Sequence, residues 1–85
     1  MYELRISKKA GKYIQSLDKP TRERIFRALI ELSENPFIGP NVKRLRGYLN
    51  TYRKRIGDYR VIYEIDEGRL LVLVLKVGSR GDIYK

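Results

Sequence analysis

The chain has no cysteine and no histidine. Without cysteine there is no disulfide scaffold, no thiol nucleophile and no thiolate-bound zinc. Without histidine, the commonest acid/base at neutral pH and the commonest nitrogen ligand for zinc are both missing. Long apolar runs are missing too. The longest, Leu70 to Leu75, has six residues, against the ~20 of a membrane-spanning helix. Met1-Tyr2-Glu3-Leu4-Arg5 lacks the apolar stretch of a secretory signal, and no linker or repeat is visible. The expectation is a cytoplasmic protein with no membrane association, no metal and no cofactor.

What remains is material for one small domain spanning residues 1–85. With 42% hydrophobic residues the chain can build a core and is not a disordered polymer. Negative charge is in short supply: nineteen Lys and Arg face ten Asp and Glu, for a net charge of +9 and a pI near 10.0. The excess is concentrated. Residues 43–60 hold seven cations (Lys43, Arg44, Arg46, Arg53, Lys54, Arg55, Arg60) against Asp58 alone. Such a cluster points to a polyanionic partner; the alternative is an ordinary solvated face.

Tyr2, Leu4 and Ile6 alternate with Glu3 and Arg5, the period of a half-buried strand. Ser7 is placed to cap a helix carrying Ala10, Tyr13, Ile14 and Leu17 on one stripe. Asp18 caps a second, with Pro20 in its first turn and Ile25, Ala28, Leu29 and Leu32 on its stripe, widened by Phe26 and Ile30. Pro36 ends that helix at Asn35. After a loop and a short extended piece over residues 42–46, three strands are expected. They cover residues 52–56, 59–66 and 69–77, joined by tight turns at Gly57-Asp58 and Glu67-Gly68. The last, apolar from 70 to 75, reads as central. The fold class is α+β in the order β-α-α-β-β-β, with two N-terminal helices packed on one face of a small, largely antiparallel sheet.

A two-residue loop at Gly57-Asp58 sets Ile56 opposite Tyr59, Arg55 opposite Arg60 and Arg53 opposite Ile62. Arg53, Arg55 and Arg60 then share a face. Like charges directly opposed across a sheet are destabilising, so a fold does not gather them for its own stability. A bound anion relieves the repulsion, and guanidinium forks suit phosphate. A two-residue loop at Glu67-Gly68 sets Ile62 opposite Leu73 and Arg60 opposite Leu75. That adds Ile62, Leu71, Leu73 and Leu75 to the arginine face and sends Leu70, Val72 and Val74 toward the helices. The apolar strip calls for a cover, either a partner chain or the loop over residues 36–50.

Tyr52-Arg53-Lys54-Arg55-Ile56-Gly57-Asp58-Tyr59-Arg60-Val61-Ile62-Tyr63 resembles the Y-[KR]-x-[KR]-[IVL]-x-x-Y-R-[VIL]-x-Y core of the RelE/ParE toxin superfamily. Arg44-Leu45-Arg46-Gly47 resembles the K-L-x-G element before it, and Val77-Gly78-Ser79-Arg80-Gly81-Asp82-Ile83-Tyr84 the terminal V-G-x-R-x-x-x-Y. The resemblance implies a RelE-like fold and a toxin of a type II toxin–antitoxin module. It further implies a metal-independent endoribonuclease that cuts mRNA in the ribosomal A site, using the 2′-hydroxyl as nucleophile and leaving a 2′,3′-cyclic phosphate. By the same resemblance Arg53 and Arg55 hold the mRNA backbone and Arg60 stabilises the pentavalent phosphate. Arg80 sits near the leaving 5′-oxygen, and Tyr84 stacks on or orients the substrate nucleotide. Lys43, Arg44, Arg46 and Lys54 are further RNA-binding candidates. The implied partners are the ribosome with its rRNA, mRNA and a cognate RelB-like antitoxin.

Family members with lysine at the positions of Arg53 and Arg55 have a general base there; arginine is a poor one. Tyr84, Lys54 or an rRNA group is left as the proton acceptor. The same fold serves ParE-like toxins, which inhibit DNA gyrase without catalysis, and a non-catalytic RNA-binding module is a third reading. The presence of Arg53, Arg55, Arg60, Arg80 and Tyr84 favours the nuclease.

Overall fold

The computed structural model describes residues 1–37, 39, 41–47 and 50–79. Its elements run β1 (Glu3–Ile6), α1 (Lys8–Gln15), α2 (Lys19–Glu34), β2 (Val42–Arg44), β3 (Thr51–Ile56), β4 (Tyr59–Asp66) and β5 (Leu71–Ser79). The five strands form one sheet in the order β1-β5-β4-β3-β2. Three of its pairings are antiparallel, while β1 runs parallel to β5.

Each helix starts where a side-chain oxygen meets its orphan N–H groups. The Ser7 hydroxyl accepts from the Ala10 N–H at 3.1 Å. The Asp18 carboxylate accepts from the Thr21 N–H at 3.3 Å and the Thr21 hydroxyl at 2.7 Å, bonds that hold its pKa below the ordinary 3.8. Asn35, with φ −150°, ends α2. From α1 the residues Ala10 and Ile14 are buried, and from α2 the residues Ile25, Leu29 and Leu32. They meet Ile56, Val61, Tyr63, Ile65, Val72, Val74 and Val77 on one face of the sheet. Phe26 and Ile30 do not widen the buried stripe: they are 40% and 52% exposed, because 100° per residue carries them past the contact line.

Tyr63, in the central strand, is fully buried and donates its hydroxyl to the Pro36 carbonyl at 2.8 Å. Its ring stacks on Tyr52, which meets Phe37 edge-on, and Phe37 meets Tyr2 in the same way. This aromatic chain fastens the segment after α2 across the sheet. Desolvation, with Tyr52 adding to it, pushes the Tyr63 phenol well above the ordinary 10.0.

The β3–β4 hairpin has the expected register, with Ile56 opposite Tyr59, Arg55 opposite Arg60 and Arg53 opposite Ile62. Gly57 takes φ +59° while Asp58 does not go positive, the pattern of a two-residue loop with glycine first.

The β4–β5 connection differs from expectation. It is a four-residue turn over 67–70. The Asp66 carboxylate captures the Arg69 N–H at 3.2 Å, and the Leu70 N–H reaches the Glu67 carbonyl at 3.3 Å. Leu70, at φ +51°, is 54% exposed instead of joining the core. β5 therefore starts at Leu71, with Asp66 opposite Leu71 and Tyr63 opposite Val74. A bulge then follows, and beyond it Ile62 faces Lys76 and Arg60 faces Gly78; the expected partners Leu73 and Leu75 lie elsewhere. β5 lies inside the sheet between β1 and β4, and β4 occupies the middle. Leu71, Leu73 and Leu75 are half-buried.

Candidate functional site

Strand parity decides which cations meet. Lys43 pairs with Arg53, Arg53 with Ile62 and Ile62 with Lys76, so these four lie in one row crossing β2, β3, β4 and β5. The next row holds Arg55, Arg60 and Gly78. Both rows project from the face of the sheet that the helices leave uncovered. Among the described residues the result is a patch of five cations, Lys43, Arg53, Arg55, Arg60 and Lys76, around the buried side chain of Ile62.

The cations differ in exposure. Lys43 and Arg55 are exposed, whereas Arg53, Arg60 and Lys76 are half-buried. Arg60 donates from Nη1 to the Tyr59 carbonyl at 3.3 Å, and Arg55 from Nε to the Gly57 carbonyl at 3.4 Å. Both bonds are long and take up only one guanidinium proton each, leaving most of each fork available. Among the described residues the ion pairs are Arg5 with Glu3 and Arg69 with Asp66, so neither Arg55 nor Arg60 is neutralised by a carboxylate of those residues. A face so charged can grip a polyanion and stabilise charge developing on a phosphate. Among the described residues no three carboxylates converge as metal ligands, and no helix is long and apolar enough to cross a membrane.

Other sequence candidates lie elsewhere. Arg44 pairs with Tyr52, and Lys54 with Val42 and Val61, which puts both on the helix side of the sheet, away from the patch. Arg44 and Arg46 are exposed and, with Leu45 and Gly47, line a hollow of about 350 Å³. A larger hollow of about 710 Å³ is edged by Glu64, Asp66 and Glu67, a setting that repels a polyanion. Arg80 and Tyr84 lie outside the described residues.

Two further cations, one at the hairpin turn and one on the patch, escaped the sequence reading. The Arg24 guanidinium of α2 lies so close to the hairpin that a Cβ on Gly57 would sit 2.9 Å from its Nη1. Lys76 is turned onto the patch by the bulge. Its signal was present in the sequence, since the buried residues Val72, Val74 and Val77 step by two and then by three.

A family model described as the ParE toxin of type II toxin–antitoxin systems, parDE, matches residues 4–84. The chain is 31% identical over 81 residues to the mRNA interferase toxin RelE of Escherichia coli (strain K12), covering 93% of this chain and 83% of that protein. Its structure is similar to the RelE of the archaeal RelE–RelB complex from Pyrococcus horikoshii OT3. There the TM-score is 0.84 at 33% identity, over 95% of this chain and 97% of that one. It is also similar to the isolated E. coli RelE toxin, with a TM-score of 0.81 at 30% identity over 99% and 92% of the two chains. The order of elements, the cationic patch and these likenesses agree: the chain belongs to the RelE/ParE family of toxins from type II toxin–antitoxin systems.

Proposed function

We propose that this chain, acting as one domain over residues 1–85, is an mRNA interferase. In this reading it is a cytoplasmic toxin that enters the A site of a translating ribosome and cuts the message there. The observation that carries the reading is the opposed pair Arg55 and Arg60 beside Arg53, a costly arrangement that a phosphodiester would relieve. The substrate supplies its own nucleophile. The ribose 2′-oxygen attacks the adjacent phosphorus while its proton passes to a base, the bond to the 5′-oxygen breaks, and that oxygen takes up a proton from water, leaving a 2′,3′-cyclic phosphate and a 5′-hydroxyl. The protein's part is to splay the RNA into line for attack and to neutralise the charge gathering on the phosphoryl oxygens. Arg60 holds that charge, Arg53 and Arg55 clamp the backbone, Arg80 serves the leaving oxygen, and Tyr84 orients the nucleotide. Lys43, Arg44 and Arg46 add sequence-independent attraction to RNA, and Lys54 snorkels at the helix side.

RelE proteins related to this chain are known as complexes with RelB. By that likeness an antitoxin of acidic or amphipathic character is this toxin's partner. The exposed Phe26 and Ile30 on α2 and the half-buried Leu71 and Leu73 offer it apolar purchase.

The test is in vitro translation with primer extension on the message, wild type against Arg60→Ala. Codon-phased cuts that disappear in the variant support the proposal. Intact mRNA together with blocked DNA supercoiling would instead favour a gyrase inhibitor, the reading consistent with the ParE description of the family.

A further inference from the structure

We propose that Lys76 is a substrate-binding residue: its ammonium holds the RNA phosphate next to the scissile one, on the β5 side of the patch. This rests on the mRNA interferase reading and adds a residue to it.

The argument begins with the bulge. Plain alternation from Leu71 outward would carry Lys76 to the helix face with Val72 and Val74, both fully buried. One extra residue, Leu75, reverses the parity, and Lys76 comes out opposite Ile62 with Val77 taking the core position. The bulge is held from outside the sheet. Ser7 donates its hydroxyl to the Leu75 carbonyl at 2.8 Å and its N–H to the Val74 carbonyl at 2.8 Å. The residue that starts α1 thus also fixes where β5 changes face. Bulges are a common device for re-aiming one side chain.

A lysine that merely needed water could point anywhere on the outer face. This one is set diagonally from Arg60, whose direct neighbour Gly78 contributes no side chain. It also closes the row that begins with Lys43 and Arg53. Among the described residues no carboxylate forms an ion pair with Lys76. With strands about 4.8 Å apart, two spacings put its backbone about 10 Å from that of Arg53. That is room for a strand of RNA to lie along the row, with one phosphate between the arginines and the next at Lys76. A lysine ammonium, a compact point charge with rotatable donors, suits a phosphate whose orientation does not change during the reaction.

The experiment uses ribosomes programmed with an mRNA carrying a 2′-O-methyl group at the A-site codon, which binds but cannot be cut. Affinity is measured against salt for the wild type, Lys76→Gln, Lys76→Arg and Arg60→Ala. Lys76→Gln is expected to weaken binding by about tenfold and to flatten the slope of log K against log salt by about 0.7, with Lys76→Arg restoring both. If Arg60→Ala flattens the slope and Lys76→Gln leaves it at the wild-type value, the Lys76 assignment is wrong and the interferase reading stands. A loss that Lys76→Arg fails to restore, with a lowered melting temperature, overturns the assignment in favour of a packing role. If neither variant changes affinity or slope, both readings fall together.

Discussion

Removing Arg60 should make the protein more stable and less active. Arg55 and Arg60 face each other directly across β3 and β4, and among the described residues neither pairs with a carboxylate. Two unit charges about 7 Å apart in a water-like dielectric repel by about 0.6 kcal/mol, in line with the ~0.2–1 kcal/mol typical of cross-strand side-chain pairs. Arg60 is half-buried, so truncation to alanine would also discard the packing of its stem. Methionine keeps an unbranched stem while removing the charge and the long, weak bond to the Tyr59 carbonyl. Arg60→Met should therefore gain about 0.2–1 kcal/mol, and for a domain of this size each kcal/mol moves Tm by about 4–8 °C.

Three controls separate repulsion from other causes. Arg55→Met should gain a similar amount. The double variant should gain less than the sum of the two, because either substitution alone already abolishes the pair. The gain should shrink at ~1 M salt, where the screening length is about 3 Å. Thermal melts read the stability, and A-site cleavage, lost in Arg60→Met, reads the activity. An Arg60→Met protein that melts lower than wild type at low salt, yet still cleaves, would refute the argument. It would mean that the guanidiniums hold the sheet together.

Ser7→Ala removes both the α1 cap and the donor to the bulged Leu75 carbonyl; a loss of about 1–3 kcal/mol in denaturant melts is expected, and no loss would mean the bulge holds without it. Tyr63→Phe strips the hydroxyl from the buried Pro36 carbonyl, at a cost of about 1–3 kcal/mol near neutral pH by the same measurement. Because the folded-state pKa of Tyr63 lies above 10.0, the stability tied to its protonated phenol is whole below pH 10 and drains as pH rises beyond it. Wild type should accordingly lose stability faster than Tyr63→Phe in melts taken above pH 10. Gly57→Ala forces a side chain to φ +59° and against Arg24; a loss of about 1–2 kcal/mol is expected, with Gly57→Asn costing less because asparagine tolerates that conformation.

Local chemistry made much of the fold legible in the sequence. Ser7 and Asp18 announce helix starts because a side-chain oxygen at that spot answers the same N–H groups in any context, and Pro36 forbids helix before it in the same local way. Gly57-Asp58 fixed a register because a two-residue loop leaves no choice of pairing, and Arg53, Arg55 and Arg60 followed onto one face. The turn at residues 67–70 failed for the opposite reason. Leu70 looks like the start of an apolar strand, but the Asp66 carboxylate takes the Arg69 N–H and closes a longer turn, with Leu70 spent at a positive φ. The parallel pairing of β1 with β5 was illegible because alternation tells which side of a strand is wet and not which strand lies beside it.

The site divides along the same line. Whether a cation joins the patch is a question of parity, and parity is readable wherever a strand is uninterrupted. It separates Lys43 from Arg44 and Arg53 from Lys54 once β2 is paired with β3. On β5 the rule needed one correction, which the sequence itself contains. A core that takes Val72 and Val74 cannot take Lys76 next, since an unpaired ammonium among fully buried valines costs several kcal/mol, and Val77 is there to fill the place. The chain meets both demands by inserting Leu75, and the inserted residue decides that the patch has a fifth cation.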